Sequence, residues 1–430
     1  MKMISGNKIK ILEIVIILFV VSKILYTGIL YDPDSLAFTT LQYGRSPGYM
    51  LFASFFTSVF GNSFEFPLLL TQLIFNLGIC IYVKVELSKL LRLKSIYTLL
   101  LLVILLVPLV STFLTANKIL TESLTYPLFL LFNLFALQSL ILVNTKYVFK
   151  GMLVLILLVI TRNQFLAMIP VFLIVNLFMW WRSKRKSYLF LLLATLCIPV
   201  LTTIFEKTFN YVAFDTFTSI PGAHMPASSV FFVADEEDYN LFSSDEEVEF
   251  FKTAMTALKR KNLLASSLAQ TDYYTTFSLY QSQFSKICNQ TLHEIAMTQF
   301  TDSGKSQKDR LLQAEQLFKS MYWPLLKNNF KKWISLYIQN IRYALGSTKM
   351  LFLYLFLFVA GVVILKRNNR DRTGLFLSFT TLCTFCSLFL LALVSHSEYR
   401  YLFYHHWTLF VGILLLIHQY LQSFENVNYD

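Results

Sequence analysis

The chain has 430 residues, of which 56% are hydrophobic and only 14% charged, and its mean hydropathy is +0.57. Soluble domains average about 25% charged residues, so the composition excludes an ordinary soluble protein and indicates a polytopic membrane protein. The formal charge of +12 does not point to nucleic acid. The basic residues are scattered among short loops, where they act as topogenic charge beside anionic lipid.

Lys2, Lys8 and Lys10 precede the apolar run 11–30. That run is long and no small-residue cleavage site follows it, so it reads as a first spanning helix and not as a signal peptide. Nine further runs approach the ~20 apolar residues that a spanning helix requires. They are 66–85, 96–113, 124–143, a short one at 148–161, then 165–181, 188–205, 348–365, 374–394 and 402–421. Alternate connections are basic: Lys84, Lys89, Arg92 and Lys94; Lys146 and Lys150; Arg182, Lys184, Arg185 and Lys186; Lys366, Arg367, Arg370 and Arg372. This pattern predicts both termini in the cytoplasm. The expected fold is therefore an all-α polytopic membrane protein of about ten transmembrane helices. It divides into an N-terminal membrane module, 1–205, of about seven helices, an external and mostly helical domain, 206–347, and about three C-terminal helices, 348–430.

Two external regions carry structure of their own. In the first loop, 31–65, Asp34 or Ser35 can cap a short helix from Leu36 to Tyr43 that Gly44 ends. Pro47 then opens a helix from Gly48 to Phe60, ending at Gly61 and Asn62, suited to lie along the membrane surface. In 206–347, Ser244 and Glu247 spell a capping box for a helix reaching Lys261. Helices are also expected over Gln281 to Phe300 and Gln307 to Met321. Trp323-Pro324 starts a last amphipathic helix through Tyr343, with Trp333, Tyr337 and Ile341 on one face. The acidic run Asp235 to Asp238, with Asp245, Glu246 and Glu247, reads as a solvated loop and a charged first turn, a divalent-ion site being the alternative. Of the five cysteines only Cys288 lies outside an apolar segment, so no disulfide framework is expected. Cys383 and Cys386 read as small packing residues, and His405 and His406, beside Trp407, as interfacial packing.

The external connections hold isolated polar groups: Asp32, Asp34 and Arg45, then Lys118 and Glu122, then Arg162, and finally Glu398 and Arg400. All should converge on one membrane face. Two carboxylates just outside the bilayer, Asp32 and Asp34, can supply a general base or hold a divalent cation between them.

The order Asp34-Ser35, Phe38, then Gly44-Arg45-Ser46-Pro47-Gly48-Tyr49 entering Leu51-Phe52-Ala53 resembles the first external loop of GT-C glycosyltransferases. It is closest to the bacterial protein-mannosyltransferase (family 39) and aminoarabinose transferase group. Thr121-Glu122-Ser123-Leu124 resembles that group's Glu-Ser-Leu, Arg162-Asn163-Gln164 lies where Arg-Pro is usual, and Glu398-Tyr399-Arg400-Tyr401 looks like its Glu-Arg-Tyr. Ser35 stands where many members have Glu, Phe38 replaces the usual Tyr, and Asn163 replaces Pro.

The resemblance implies an inverting transferase at the external face of a bacterial inner or plasma membrane. Its implied partners are a polyprenyl-phosphate sugar donor, a glycan, lipid or protein acceptor, and membrane lipid. It places the catalytic base at Asp34 with Asp32 as helper. A departing lipid phosphate suits Arg or Lys, in the order Arg400, Arg162, Lys118 and Arg45. Glu122, Glu398, Tyr401 and Tyr49 are the supporting residues. Two other classes compete. A polysaccharide polymerase or ligase would use lipid-diphosphate donors and lean on Arg and His. A transporter or flippase would carry mid-helix charges and repeated halves.

Overall fold

The computed structural model describes residues 6–268, 272–301, 306–394 and 399–427. Among these residues the structure is helical, and its β-type pairing is an isolated parallel bridge between Leu30 and Lys118. Seven helical stretches are long and apolar enough to cross a bilayer: Glu65–Leu91, Glu122–Leu142, Asn163–Ser183, Lys186–Phe214, Thr348–Arg367, Arg372–Val394 and Arg400–Leu421. Several carry large apolar side chains in exposed positions, among them Ile74, Phe190 and Phe352. A soluble surface rarely tolerates apolar exposure on this scale. The chain is a helical membrane protein. The other three expected spans are also helical. α1 (Gly6–Thr27) carries Lys8, Lys10, Glu13 and Lys23, whereas α5 (Ser95–Val110) has 16 residues and α7 (Thr145–Thr161) has 17.

The chain divides into two compact units. The first comprises Met1–Ser219, Phe352–Ser387 and Phe403–Asp430. It begins with α1, the short α2 (Ser35–Thr39), α3 (Pro47–Phe60), α4 (Glu65–Leu91) and α5, followed by α6 (Glu122–Leu142) and α7. α6 is apolar on every side and buried along nearly its whole length, as a helix without a polar face must be. α4 and α7 pack directly on it. Next come α8 (Met168–Ser183), α9 (Lys186–Leu196) and α10 (Ile198–Phe214). Polar side chains inside the bundle are satisfied locally. Asn176 donates to Phe172 O at 3.0 Å and to Thr195 Oγ1 at 3.2 Å, joining α8 to α9. Glu13 and Lys84 pair at 3.0 Å between α1 and α4, both largely buried.

Where the sequence sets a domain start at 206, α10 runs on to Phe214. The second unit comprises Ile220–Leu351 and Leu388–Leu402. Its centre is α11 (His224–Val233), buried from Ala227 to Val233. Phe250 and Phe251 of α12 (Asp245–Arg260), Tyr280 and Phe284 of α13 (Tyr273–Ile287), Phe318 of α15 (Gln307–Asn328) and Trp333 of α16 (Phe330–Tyr343) share one core with it. A π-helical turn, Cys288–His293, joins α13 to α14 (Glu294–Gln299), interrupting the single helix expected there.

Four local expectations are corrected. Ser244 makes no side-chain cap, and the Glu247 carboxylate accepts from Ser320 instead of reaching back to the helix start. The capping box forms at Asp235 and Asp238. Asp238 is buried and accepts from the amides of Asn328 (2.7 Å) and Asn329 (2.6 Å), so the acidic run is not merely solvated. Those two bonds also place the helix break at Asn329, leaving Pro324 inside α15 instead of starting a helix. Finally, α2 ends early, because Leu41 takes a positive φ of 51° before Gly44 is reached.

Candidate functional site

α1 ends at Gly28, whose φ of +69° turns the chain. The amide of Asn117 donates to Ile24 O (2.9 Å), which also accepts from Gly28 N–H, and to Gly28 O (2.7 Å), anchoring the helix end. Leu30 N–H donates to Asn117 O at 2.8 Å, and Ile119 N–H donates to Leu30 O at 3.2 Å. These bonds lay residues 31–35 beside 117–122. Ser35, fully buried, completes the pin: its hydroxyl donates to Ile119 O (3.0 Å) and accepts from Asp32 N–H (2.8 Å). A glutamate there would press a carboxylate against a carbonyl in a buried pocket, which gives the serine a physical reason.

The pinned loop carries the charges in pairs. Arg45 Nη2 meets Asp34 Oδ1 at 2.8 Å, with the Asp34 side chain 41% exposed. The same guanidinium lies 5.9 Å from the Phe38 ring centroid, a cation–π distance. Lys118 Nζ lies 3.2 Å from Asp32 Oδ2, an oxygen that is buried and makes no hydrogen bond among the described residues. The Asp32 side chain is 25% exposed. Each of the two carboxylates, between which a divalent cation was one alternative, is thus compensated by its own basic group. Arg162 Nη1 meets Glu122 Oε1 at 2.8 Å, Thr121 Oγ1 at 3.2 Å and Tyr404 Oη at 3.3 Å, in a nearly buried setting.

Tyr49 is fully buried against Phe38 in an edge-to-face pair. Its hydroxyl donates to Gln72 Oε1 (2.9 Å), and the Gln72 amide donates to Ala116 O (2.9 Å). It therefore ties α3 and α4 to the 116–118 segment. Gly48 explains the other half of the Pro-Gly-Tyr stretch. A Cβ there would come within 2.6–2.9 Å of Thr161, backbone included, so only glycine lets α3 approach the end of α7 beside Arg162.

Seven expected residues are brought together in the first unit: Asp32, Asp34, Arg45, Tyr49, Lys118, Glu122 and Arg162. Arg400 and Tyr401 stand on α19 (Tyr399–Leu402) in the second unit, and Glu398 lies outside the described residues. Further members were missed by the sequence. Tyr404 is fully buried and shares a 2.7 Å hydrogen bond with Thr125. Glu206 accepts from Asn163 at 3.3 Å, and Glu65 accepts from Tyr31 at 2.6 Å. The Tyr31 hydroxyl is pushed up to about 12, by burial first and by Glu65 second. Glu206 had a signal, a carboxylate at the edge of an apolar run. Nothing in the spacing linked residue 404 to 125.

The arrangement offers an accessible carboxylate, Asp34, whose Oδ2 makes no hydrogen bond among the described residues and whose Oδ1 meets the partly exposed Arg45, with Asp32, paired to Lys118, two residues earlier in the loop. Comparison of the chain with protein-family models, with curated proteins and with solved structures finds no match. What fold and site define is a helical membrane protein with a charged cluster where α4 and α6 begin.

Proposed function

We propose that the chain is a GT-C-type membrane glycosyltransferase, moving a sugar from a polyprenyl-phosphate carrier to an acceptor at the external face. The observation that carries this reading is the pinned first loop, which holds an accessible Asp34 beside Arg45 and close in sequence to the Asp32–Lys118 pair. Asp34 takes the proton of an acceptor hydroxyl as that oxygen attacks the anomeric carbon. The bond from that carbon to the phosphate oxygen breaks on the opposite face, inverting the configuration. The departing lipid phosphate gains charge, and cations placed in advance stabilise it. Arg45 and Lys118 are the exposed candidates for that role, whereas Arg162 is enclosed by Glu122, Thr121 and Tyr404 and supports the wall of the site. Arg400, Tyr401 and Glu398 enter through the resemblance alone. The proposal includes ten spans, with α1, α5 and α7 crossing the bilayer, and both termini in the cytoplasm.

The test is incubation of purified protein with radiolabelled polyprenyl-phosphate sugars and a cell-envelope extract, following loss of label from the lipid. Wild-type protein should release label. Asp34→Asn should do so 10²–10⁴-fold more slowly, the usual loss on removing a general base, with its melting temperature unchanged. Near-wild-type turnover in that variant would overturn the assignment.

A further inference from the structure

A second polar site lies at the other end of the bundle, where α6 and α8 finish and α18 (Arg372–Val394) begins. Ile141, Val143, Arg182, Arg370 and Arg372 line a cavity of about 420 Å³ there, a volume within the usual range for small-ligand sites. Two of the guanidiniums are aimed by backbone. Arg182 Nη1 donates to Leu140 O at 3.2 Å, and Arg372 Nη1 donates to Leu90 O at 2.6 Å. The charges are not compensated. Arg370 stands close enough to Arg182, and Arg92 to Arg372, for each pair to repel. Among the described residues none of these arginines meets a carboxylate within ion-pair distance. Asp371, between two of them, is engaged in capping α18 through Gly374 N–H (2.8 Å) and in touching the amide of Gln419. Glu86 on α4 pairs with Lys89 at 3.0 Å.

Two further observations mark the place as built. Val143 ends α6 with a φ of +54°, a left-handed conformation that a β-branched residue adopts only under strain. Such strain collects at ligand-binding positions. The Tyr188 hydroxyl, fully buried and close enough to feel the Arg182 charge, makes no hydrogen bond among the described residues.

We infer that this cavity binds the phosphodiester headgroup of an anionic membrane lipid, between guanidiniums that repel one another when it is vacant. Planar guanidiniums match phosphate oxygens in bidentate fashion, and basic pockets between membrane helices are suited to anionic headgroups. Ile141 and Val143 on the same wall favour a lipid over free phosphate, since they offer an apolar surface to the glycerol and the start of the acyl chains. This site is independent of the transferase reading.

The experiment measures binding to purified protein in neutral detergent by thermophoresis, with dioctanoyl phosphatidylglycerol, dioctanoyl phosphatidylcholine and inorganic phosphate as probes. Wild-type protein should prefer the glycerol lipid to the choline lipid at least tenfold and bind phosphate far more weakly. Arg182→Gln/Arg370→Gln should lose that preference, whereas Asp34→Asn should keep it. Arg370→Gln alone, at an exposed position, gives the same reading, weakened by several fold, if the double variant does not fold. Equal binding of the two lipids by wild type, unchanged affinity in the variants, or phosphate bound as tightly as the lipid would each overturn the inference.

Discussion

Ser35 decides the shape of the first loop with one hydroxyl, which bonds Ile119 O and Asp32 N–H together. Its neighbours then divide the work. On the proposed reading Asp34, the more exposed carboxylate, is the one a substrate reaches, and Asp32 orients Lys118. Asp32→Asn should therefore weaken donor affinity more than it slows the chemical step, raising KM several-fold with kcat within about tenfold of wild type. Steady-state kinetics with labelled donor checks this, and a pure kcat defect would instead give Asp32 the role of base. Gly48→Ala places a methyl against Thr161. Overpacking of this kind typically destabilises by about 1–3 kcal/mol, so the melting temperature in detergent should fall. The individual charges were legible in the sequence because isolated polar groups between apolar runs stand out. Their pairing was not. Asp32 with Lys118, and Glu122 with Arg162, meet across distances in sequence that no local pattern encodes, and Tyr404 joins them from the far end of the chain.

The helices follow hydrophobic periodicity closely, while their ends follow side-chain bonds that periodicity does not contain. Pro324 looked like a helix start, yet the break belongs to Asn329, held by Asp238 from another part of the second unit. Between α1 and α4, the Glu13–Lys84 pair behaves as a single element. Removing Glu13 alone leaves a largely buried ammonium unpaired, whereas removing both charges does not. Glu13→Ala should destabilise the protein more than Glu13→Ala/Lys84→Met, measured by thermal unfolding in detergent; the reverse order would show the pair to be dispensable. In the second unit His224 stacks on His293 with ring centroids 4.7 Å apart. It is held down to about 4, by burial first and by His293 second. An unfolded histidine titrates near 6.5, so between those values the unfolded chain binds the extra proton. Stability is complete above about pH 6.5 and falls as the pH drops toward 4. Melting temperatures at pH 7.5 and 5.0 should differ in wild type and differ less in His224→Gln. An identical pH dependence in the two proteins would contradict the assignment.

On the scale of the whole first unit, two helices connect the two sites. α4 starts at Glu65, beside Tyr31, and ends near Leu90, whose carbonyl receives Arg372. α6 starts at Glu122, beside Arg162, and ends at the arginine-lined cavity. At 1.5 Å per residue these helices measure about 40 and about 32 Å, enough to cross a hydrocarbon core of about 30 Å. The acidic loop and the arginine rim therefore lie at opposite ends of these helices, and on the proposed topology the basic loops put the rim in the cytoplasm. The proposed transferase reading depends on this orientation, and paired labelling tests it directly. Asn62→Cys, beyond the end of α3, and Asn369→Cys, before α18, are introduced singly into a background lacking the five native cysteines. In intact cells a membrane-impermeant maleimide should label the first variant at once, and the second only after lysis. Labelling of Asn369→Cys but not Asn62→Cys in intact cells would contradict the account.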